Sequence, residues 1–464
     1  MQSIEIQEIP YQPDSEQLFE AVRDLPDAIW LDSGKPRSTQ GRFDIISASP
    51  DALIETRGAL STISDSNGKT TSDRDPFDLA QQLLQPLLPF DNAVSNYPFV
   101  GGLIGYFGYD LGRRLIDIEN RAEAVTDLPD MRIGRYLWAL IIDHSARQCQ
   151  LIFHRNCAVE LREEISRRFK NNSQADTDKR VFTLAGKFQA TLDQEQYQQS
   201  IRCIKDYIAS GDCYQTNFTQ HFSAGFKGDL WTAYKSLREK APSPYSAFWQ
   251  WPNQALLCLS PERFVQSVDN LVETKPIKGT ARRGATVEED QQLSEQLVNS
   301  SKDRAENLMI VDLLRNDLSK NCEAGSIAVP KLFELESFAN VHHLVSTVTG
   351  KLDKNSSPVN LLRDCFPGGS ITGAPKKRAM EIIEELEPVR RSVYCGSIGY
   401  ISANNRMDSN IAIRTVIADG DQLHCWGGGG IIADSREDRE YQESIDKIRA
   451  LLNALETFIE DSPV

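Results

Sequence analysis

The segment Thr274-Lys-Pro-Ile-Lys278-Gly-Thr280 decides how the chain around it folds. Two runs with strand character, 264–268 and 271–274, precede it and are joined by a short turn. The proline of the segment cannot donate a hydrogen bond to a neighbouring strand, and its glycine frees the backbone. The sequence therefore predicts that the strand ends or bulges here and presents Lys278 at a fixed place.

Composition limits the class of protein. The chain has 464 residues, of which 40% are hydrophobic and 25% charged, which is typical of a globular protein with roughly two or three domains. The net charge of −15 argues against nucleic acid as a main partner, because phosphates attract a basic surface. Nine cysteines without a C-x-x-C motif predict reduced thiols. We expect a cytoplasmic protein with neither a signal peptide nor a membrane helix.

The order of the predicted elements indicates the fold class. Strands in runs with helices between them, without strict alternation, predict an α+β fold. The stretch 171–179 has almost no apolar residues and is the best candidate linker. We therefore predict an N-terminal domain at 1–170, a linker at 171–189 and a second domain at 190–464. Periodicity and capping residues predict helices at 193–210, at 288–318 in two pieces that separate near Ser300, at 376–386 and at the C-terminus.

Two glycine-rich segments suggest places where a ligand approaches the main chain. In Phe366-Pro-Gly-Gly-Ser-Ile-Thr-Gly-Ala-Pro-Lys376, glycines lead into a helix whose free amides can bind an anion, or the loop only caps the helix. Its spacing is not that of a P-loop, so a carboxylate ligand is as good a candidate as a phosphate. In Trp426-Gly-Gly-Gly-Gly430, the glycines stand at a predicted strand end. Arg414 on the preceding strand can clamp a carboxylate or form an ordinary ion pair.

Acidic residues and lysines supply the candidate chemistry. Glu306 falls on the apolar face of a predicted helix, where it must pair with a cation or bind a metal such as Mg²⁺. Glu440 and Glu443 fall off the apolar stripe of the last helix, so spacing predicts that both are exposed. Lys278 and Glu262 form a candidate nucleophile and acid, provided that burial or a neighbouring cation lowers the pKa of the lysine.

These motifs resemble those of the chorismate-utilising enzymes, a family with anthranilate synthase, aminodeoxychorismate synthase and isochorismate synthase branches. The resemblance covers nearly the whole chain and implies two stacked antiparallel β-sheets faced by helices, with a chorismate-binding catalytic domain at 190–464. It is carried by Leu259-Ser-Pro-Glu-Arg-Phe264, Ser301-Lys-Asp-Arg-Ala-Glu-Asn-Leu-Met-Ile-Val-Asp312, Val341-His-His-Leu344, Gly368-Gly-Ser-Ile-Thr-Gly-Ala-Pro-Lys376 and Tyr441-Gln-Glu443.

Within this family the segment Thr274–Thr280 distinguishes the branches. Anthranilate synthases typically read Pro-Ile-Ala-Gly-Thr, whereas this chain has Lys278 at the alanine, as in the aminodeoxychorismate branch. Isochorismate enzymes place a water-activating lysine where this chain has Gln215. The resemblance therefore implies conversion of chorismate and ammonia to 4-amino-4-deoxychorismate, in 4-aminobenzoate and folate synthesis. The alternatives are anthranilate synthase component I and a tryptophan-binding regulatory subunit without activity.

The resemblance also implies roles for individual residues. Lys278 would attack C2 of chorismate, with Glu262 as general acid and His343 beside the ring. Glu306 and Glu443 would hold Mg²⁺. The residues that would bind substrate oxygens are Thr372, Tyr400, Arg414, Gly427, Gly428, Gly429 and Lys447.

Two further ligands follow from the resemblance. Ammonia would come from a separate glutaminase subunit, because no part of this chain resembles a glutaminase domain. Tryptophan would bind near the N-terminal region, as it does in relatives. The residues at that position are Ser33, Gln40, Gly41, Arg42, Phe43, Pro244, Tyr245 and Ser246.

Overall fold

The computed structural model describes residues 4–88, 96–170, 181–338 and 341–459. The strands are β1 (Ile4–Ile9), β2 (Ile29–Asp32), β3 (Phe43–Ser47), β4 (Ala52–Arg57), β5 (Leu60–Asp65), β6 (Gly68–Ser72), β7 (Gly102–Phe107), β8 (Met131–Tyr136), β9 (Trp138–Asp143), β10 (Gln148–His154), β11 (Phe182–Leu184), β12 (Gln189–Ala190), β13 (Gln215–Gly228), β14 (Tyr245–Trp251), β15 (Gln254–Ser260), β16 (Arg263–Val268), β17 (Leu271–Thr274), β18 (Ile277–Arg282), β19 (Ala328–Ser337), β20 (Val341–Lys351), β21 (Gly373–Ala374), β22 (Ser397–Ser402), β23 (Met407–Asn410), β24 (Thr415–Asp419) and β25 (Gln422–Ile431). The α-helices are α1 (Glu16–Glu20), α2 (Pro76–Leu84), α3 (Gly112–Ile116), α4 (Val159–Lys170), α5 (Gln194–Ala209), α6 (Leu230–Lys240), α7 (Val287–Val298), α8 (Ser301–Ser319), α9 (Pro358–Cys365), α10 (Lys376–Leu386) and α11 (Glu437–Glu456).

Two antiparallel sheets form the body of the described chain. The first has the order β1-β10-β9-β3-β2-β14-β15-β24-β25-β13-β11, with β12 and β21 also paired to β13. The second has the order β18-β20-β17-β16-β23-β22-β7-β8-β4-β5-β6, with β19 on β20. Helices such as α11 and α8 pack on these sheets. The predicted α+β fold with two antiparallel sheets faced by helices is confirmed.

The sheets are stacked on a shared apolar core. Tyr106 of β7 and Trp249 of β14 are fully buried and meet edge to face, with ring centroids 6.0 Å apart. One continuous hydrophobic cluster contains residues from Ile4 to Leu455. Because burial of apolar surface contributes about 25 cal/mol per Å², this cluster is the main source of stability.

The predicted division into domains does not coincide with a break between the sheets. The first sheet joins β1–β3, β9 and β10 to strands that follow residue 181, and the second joins β4–β8 to β16–β20, β22 and β23. Residues 171–180 of the predicted linker lie outside the described residues. The division at 171–189 therefore stays a prediction about the sequence, while both sheets and the core draw on both sides of it.

Local signals position the helices that border the site. α5 begins after Asp193, whose carboxylate accepts a hydrogen bond from the amide of Gln196 in a capping box. α7 and α8 are separate because the hydroxyl of Ser300 caps the amide of Asp303. The predicted break near Ser300 is therefore confirmed, as is the helix over 376–386.

The structure also bears on the predictions of reduced cysteines and of no membrane helix. The nine cysteines are free thiols, and all except Cys203 are buried. No helix in the described part of the chain is both long and apolar enough to cross a bilayer.

Candidate active site

Lys278 lies in a β-bulge on β18, an edge strand of the second sheet. β17 ends before the proline and β18 restarts after it, and both strands pair with β20. The register slips between Ile277 and Thr280. Gly279 has a φ of +86°, a left-handed conformation that glycine adopts without strain. The predicted irregularity is confirmed, and it directs Lys278 toward the glycine-rich loop at 366–375.

Lys278 and Glu262 meet at one residue of that loop. Lys278 Nζ donates to the carbonyl oxygen of Ser370 at 3.2 Å, and Ser370 Oγ donates to Glu262 Oε1 at 3.0 Å. Glu262, between β15 and β16, is only 6% exposed. Sequence reasoning paired the lysine with the acid but missed Ser370, because a serine in a helix-capping loop carries no distinctive signal.

Burial changes the protonation of both groups in opposite directions. It raises the pKa of the Glu262 carboxyl from 4.5 to about 7, and Lys278 and the Ser370 hydroxyl oppose that rise. Burial also lowers the pKa of the Lys278 amine below its ordinary value, an effect that Glu306 opposes and Lys447 reinforces. A protonated carboxyl beside a neutral amine is the state that an acid and a nucleophile require.

His343 is connected to the strand that carries Lys278. Residues Thr280 and His343 pair across β18 and β20, and the threonine hydroxyl lies 2.8 Å from His343 Nδ1. Burial lowers the pKa of His343 to about 4, so its ring is neutral at pH 7. In His342, by contrast, Nε2 lies 3.0 Å from Asp290 Oδ1. Adjacent strand residues point to opposite faces, so the two histidines form no joint site.

Three carboxylates and two lysines form a cluster between α8 and α11. Lys302 Nζ lies 3.9 Å from Glu306 Oε1 and 3.7 Å from Glu440 Oε1. Lys447 Nζ lies 2.7 Å from Glu443 Oε1. Burial raises the pKa values of Glu306 and Glu440, whereas Lys447 lowers that of Glu443. We call these five residues the carboxylate cluster.

Helical spacing failed for one member of this cluster. Glu440 is 4% exposed, contrary to the prediction, whereas Glu443 is half exposed as predicted. The cause is the close approach of α11 to β25, where a Cβ on Gly427 would overlap the carbonyl of Ser444. A Cβ on Gly429 would lie 3.2 Å from Glu443 Oε1 and 3.7 Å from Glu440 Oε2. The glycines therefore admit both carboxylates.

The glycines at 427–430 form the C-terminal part of β25, which ends at Ile431, so they stand at a strand end as predicted, although they still pair with β13. Strand pairing explains Gly428, because a Cβ there would overlap the carbonyl of Phe218. The carbonyl of Gly428 also accepts a hydrogen bond from Lys447 Nζ at 2.9 Å. Backbone at 428 and 429 therefore borders the carboxylate cluster, while Gly427 packs against α11.

Arg414 is a candidate clamp for a carboxylate. It has a left-handed φ of +50° just before β24, and its side chain is partly buried. Burial lowers the pKa of its guanidinium, and no acidic group in the described residues offsets that effect. The guanidinium is close enough to His343 to lower the pKa of that ring. Among the described residues no carboxylate forms an ion pair with Arg414, and a partly buried cation without such a partner favours an anionic ligand.

Thr372 and Tyr400 are engaged elsewhere. The hydroxyl of Thr372 donates to the carbonyl of Gly368 at 3.0 Å, within its own loop. The ring of Tyr400 packs edge to face against Phe99. Burial and the nearby carboxylate of Asp408 raise the pKa of its hydroxyl. Among the described residues, no hydrogen bond or ring contact joins Tyr400 to Lys278 or to the carboxylate cluster, so its assignment as a substrate ligand stays a prediction.

The segments predicted to bind tryptophan meet where β2 ends and β14 begins, in the middle of the first sheet. β2 and β14 are neighbours, and Ser246 pairs with Asp32. The next residue, Ser33, donates its amide and its hydroxyl to Asp44 at 2.8 Å and 2.5 Å. Gly41 has a φ of +88°, and a Cβ there would lie 2.7 Å from that of Ser33. These contacts fold the loop after β2 onto itself.

Other members of this set form polar contacts of their own. Gln40 donates to Glu336 at 3.1 Å, and Glu336 also accepts from Lys275 at 2.5 Å. Arg42 pairs with Asp143 at 2.7 Å and is 58% exposed. Its guanidinium covers the ring of Phe43, and that of Arg263 covers the ring of Tyr245, which follows Pro244 at the start of β14.

The carboxylate cluster, Glu262 and the partly buried Lys278 lie in a region that a family model covers. Residues 26–453 match the model described as chorismate binding enzyme. The chain belongs to this family. A relative from Klebsiella aerogenes named aminodeoxychorismate synthase component 1 is 46% identical over 97% of this chain and 98% of its own length. One of the same name from Escherichia coli strain K12 is 45% identical over 94% and 95%.

A solved structure of the same family supports the fold. Anthranilate synthase component I from Streptococcus pneumoniae TIGR4 matches with a TM-score of 0.79 and 31% identity, over 89% of this chain and 92% of that chain. The chain is thus more similar to the two relatives named aminodeoxychorismate synthase component 1 than to this anthranilate synthase. Within the family, that order agrees with the lysine at position 278.

Proposed function

We propose that this chain converts chorismate and ammonia to 4-amino-4-deoxychorismate. The observation that carries the proposal is the partly buried Lys278, held in a bulge and linked through Ser370 to the buried acid Glu262. The names of the two relatives described above support the same activity. Anthranilate synthase component I is the weaker alternative, because Lys278 replaces the alanine of that branch.

Lys278 acts as the nucleophile of the first step. Its neutral amine attacks C2 of the ring, a C–N bond forms, both ring double bonds shift by one position and the C4–O bond breaks. Glu262 gives its proton to the departing hydroxyl, which leaves as water. The proton released by the alkylated amine returns to Glu262, so charge and atoms balance.

Ammonia completes the reaction in a second displacement. It attacks C4, both double bonds shift back, and the C2–N bond to Lys278 breaks. Glu262 gives its proton to the departing lysine nitrogen, and the new C4 ammonium loses a proton that restores Glu262. The sum of the two steps is chorismate plus ammonia giving aminodeoxychorismate plus water. Dividing one difficult displacement into two easier ones is the advantage of covalent catalysis. His343 is neutral and is held through Thr280, and we assign it a place beside the ring near the departing hydroxyl.

Cationic and main-chain groups bind the substrate carboxylates. Arg414 has no acidic partner in the described residues, so it is free to form two parallel hydrogen bonds with a carboxylate. Lys447 and the backbone at Gly428 and Gly429 are the second group of ligands. Thr372 contributes after its hydroxyl leaves the carbonyl of Gly368.

Mg²⁺ is the cofactor that fits the carboxylate cluster. In the described residues, no three or more His, Cys, Asp or Glu side chains converge in a way that could hold a metal by themselves. Glu306 and Glu443 offer only carboxylate oxygens, which suits an ion that completes its coordination with substrate and water. When bound, Mg²⁺ would supply Lewis acidity at the ring carboxylate. Glu306 and Glu443 would hold the ion.

A glutaminase partner and a cytoplasmic location complete the proposed function. The words "component 1" in the names of the relatives imply a second component. We assign that role to a glutaminase subunit that delivers ammonia, with both proteins in the cytoplasm. Tryptophan occupies the corner between Ser33 and Ser246, and an increase in melting temperature with L-tryptophan but not with L-alanine tests that assignment.

Product identity tests the proposed function. The isolated chain is incubated with chorismate, ammonium and Mg²⁺, and the product is identified by mass spectrometry and fluorescence. We expect an amino product that keeps the enolpyruvyl group and lacks the fluorescence of anthranilate. Anthranilate would establish the alternative activity, and absence of any ammonia-dependent product would favour the regulatory subunit.

A further inference from the structure

Ser370 touches both reacting groups of the proposed site. Its hydroxyl donates to Glu262 at 3.0 Å, while its carbonyl accepts from Lys278 at 3.2 Å. We propose that Ser370 is a positioning residue that holds the acid and the nucleophile in register. This inference rests on the proposed function, because it assigns Ser370 a part in the reaction of Lys278 and Glu262.

The loop around Ser370 is fixed by its surroundings. Arg391 is fully buried and donates to the carbonyl of the next residue, Ile371, at 2.9 Å. On the other side, a Cβ on Gly369 would overlap the side chain of Leu313 on α8. The position of Ser370 is therefore set before substrate binds, as a group that aligns two others requires.

The two contacts of Ser370 have different chemical consequences. A main-chain carbonyl accepts from Lys278 but carries no full charge, so it orients the amine without stabilising the ammonium as a carboxylate would. The hydroxyl donates to Glu262 and favours its ionised form. One residue thus restrains the nucleophile and limits how tightly the acid holds its proton.

The charges around Glu262 come from several elements. Lys278 on β18 and Lys447 on α11 favour its ionised form, as do the Ser370 hydroxyl and the amide of Ile277. The thiol of Cys395, itself buried, faces the same carboxyl. Loss of the hydroxyl leaves the lysines in place and removes one donor, so the carboxyl would keep its proton to higher pH.

Ser370→Ala and Ser370→Thr test this assignment. Alanine removes only the hydroxyl and keeps the carbonyl that holds Lys278, whereas threonine keeps both. Because a hydrogen bond to a charged group contributes about 1.5–3 kcal/mol, we expect alanine to reduce kcat by roughly 10- to 100-fold with little change in the KM for chorismate. The alkaline limb of the pH–kcat profile of Ser370→Ala should move to higher pH, and Ser370→Thr should restore the wild-type profile.

A carboxyl titration makes the test independent of turnover. The Glu262 signal of ¹³C-glutamate-labelled protein, assigned by its loss in Glu262→Gln, should titrate at higher pH in Ser370→Ala. Ser267→Ala is the matched control, because Ser267 is buried and its hydroxyl has no partner in the described structure. An unmoved Glu262 titration, or equal loss of activity in both alanine variants, overturns the inference. Failure of the wild-type chain to make aminodeoxychorismate instead overturns the proposed function.

Discussion

Lys278 Nζ donates a hydrogen bond to the main-chain carbonyl of Ser370 at 3.2 Å. A carbonyl dipole orients an amine without the strong stabilisation that a carboxylate gives to the charged form. Burial lowers the pKa of the same amine, although Glu306 and Glu262 act in the opposite direction. Lys278 therefore combines the two properties of a nucleophilic lysine, a fixed direction and easier access to the neutral state.

Replacement of this lysine separates its charge from its nucleophilicity. Lys278→Arg keeps a cation but removes the nucleophile, since an arginine stays protonated. We expect both Lys278→Arg and Lys278→Ala to lower ammonia-dependent product formation by at least ~10³-fold, because a covalent route is lost. Lys331→Ala, at an exposed lysine paired with Glu334, is the control and should retain activity. An active arginine variant would argue for a purely electrostatic role.

Glu262 should set the alkaline limb of the pH profile. Its pKa of about 7 means that the proton needed for the departing hydroxyl is lost as the pH rises above neutrality. We expect kcat to fall on that side in the wild type, and Glu262→Gln to abolish most activity together with this limb. A wild-type rate that keeps rising from pH 7 to pH 9 would contradict the assignment.

The same group should reduce stability at high pH. Its pKa is about 7 in the folded protein and 4.5 in the unfolded chain, so the folded state binds the proton more tightly. The associated stability is present below pH 4.5 and is lost as the pH rises through about 7, by at most roughly 3 kcal/mol at 1.36 kcal/mol per pKa unit. Urea denaturation at pH 6 and pH 8 should show a smaller difference for Glu262→Gln than for the wild type.

The carboxylate cluster should determine the metal requirement. Glu306→Gln and Glu443→Gln each remove a charged oxygen ligand, so we expect each to raise the Mg²⁺ concentration for half-maximal activity by about tenfold or more. Asp446→Asn is the control on the same helix, where the carboxylate pairs with Arg449 at the surface. Unchanged Mg²⁺ titrations in both glutamine variants would exclude these two residues as ligands.

Arg414 should contribute mainly to binding of the substrate. Lysine keeps the charge but loses the planar pair of donors, so Arg414→Lys should raise the KM for chorismate by about 10- to 100-fold, in line with 1.5–3 kcal/mol for a charged hydrogen bond. Arg315→Lys is the control, since Arg315 is exposed and pairs with Asp312 on α8. A normal KM with a lowered kcat would instead indicate that Arg414 acts on the transition state alone.

Much of the fold followed from local chemistry in the sequence. A proline and a glycine within seven residues predicted the bulge at Lys278, and the sequence also predicted the break near Ser300, where the structure shows a serine cap. These features depend on a residue and its nearest neighbours along the chain. The division of the chain into domains depends instead on how distant strands pair, and both sheets join strands from either side of the predicted linker.

Side-chain chemistry selected Glu262, Lys278 and Glu306 as candidates, whereas their roles came from the family resemblance. The structure brings Lys278 and Glu262 together at Ser370 and places Glu306 close enough to act on the charge of Lys278. Glu440 was missed because its burial depends on the close packing of α11 on the glycines of β25, which helical periodicity cannot express. Ser370 was missed because its two contacts come from residues far apart in the sequence.

In the proposed mechanism, Lys278 forms a covalent bond to the substrate. Intact-mass spectrometry of the chain with chorismate and Mg²⁺, without ammonia, measures this directly under single-turnover conditions. We predict a mass increase equal to chorismate less one water, located on the peptide that contains Lys278, absent in Lys278→Ala and discharged by added ammonium. Ammonia-dependent product formation by the wild type without any trapped adduct would contradict the covalent route.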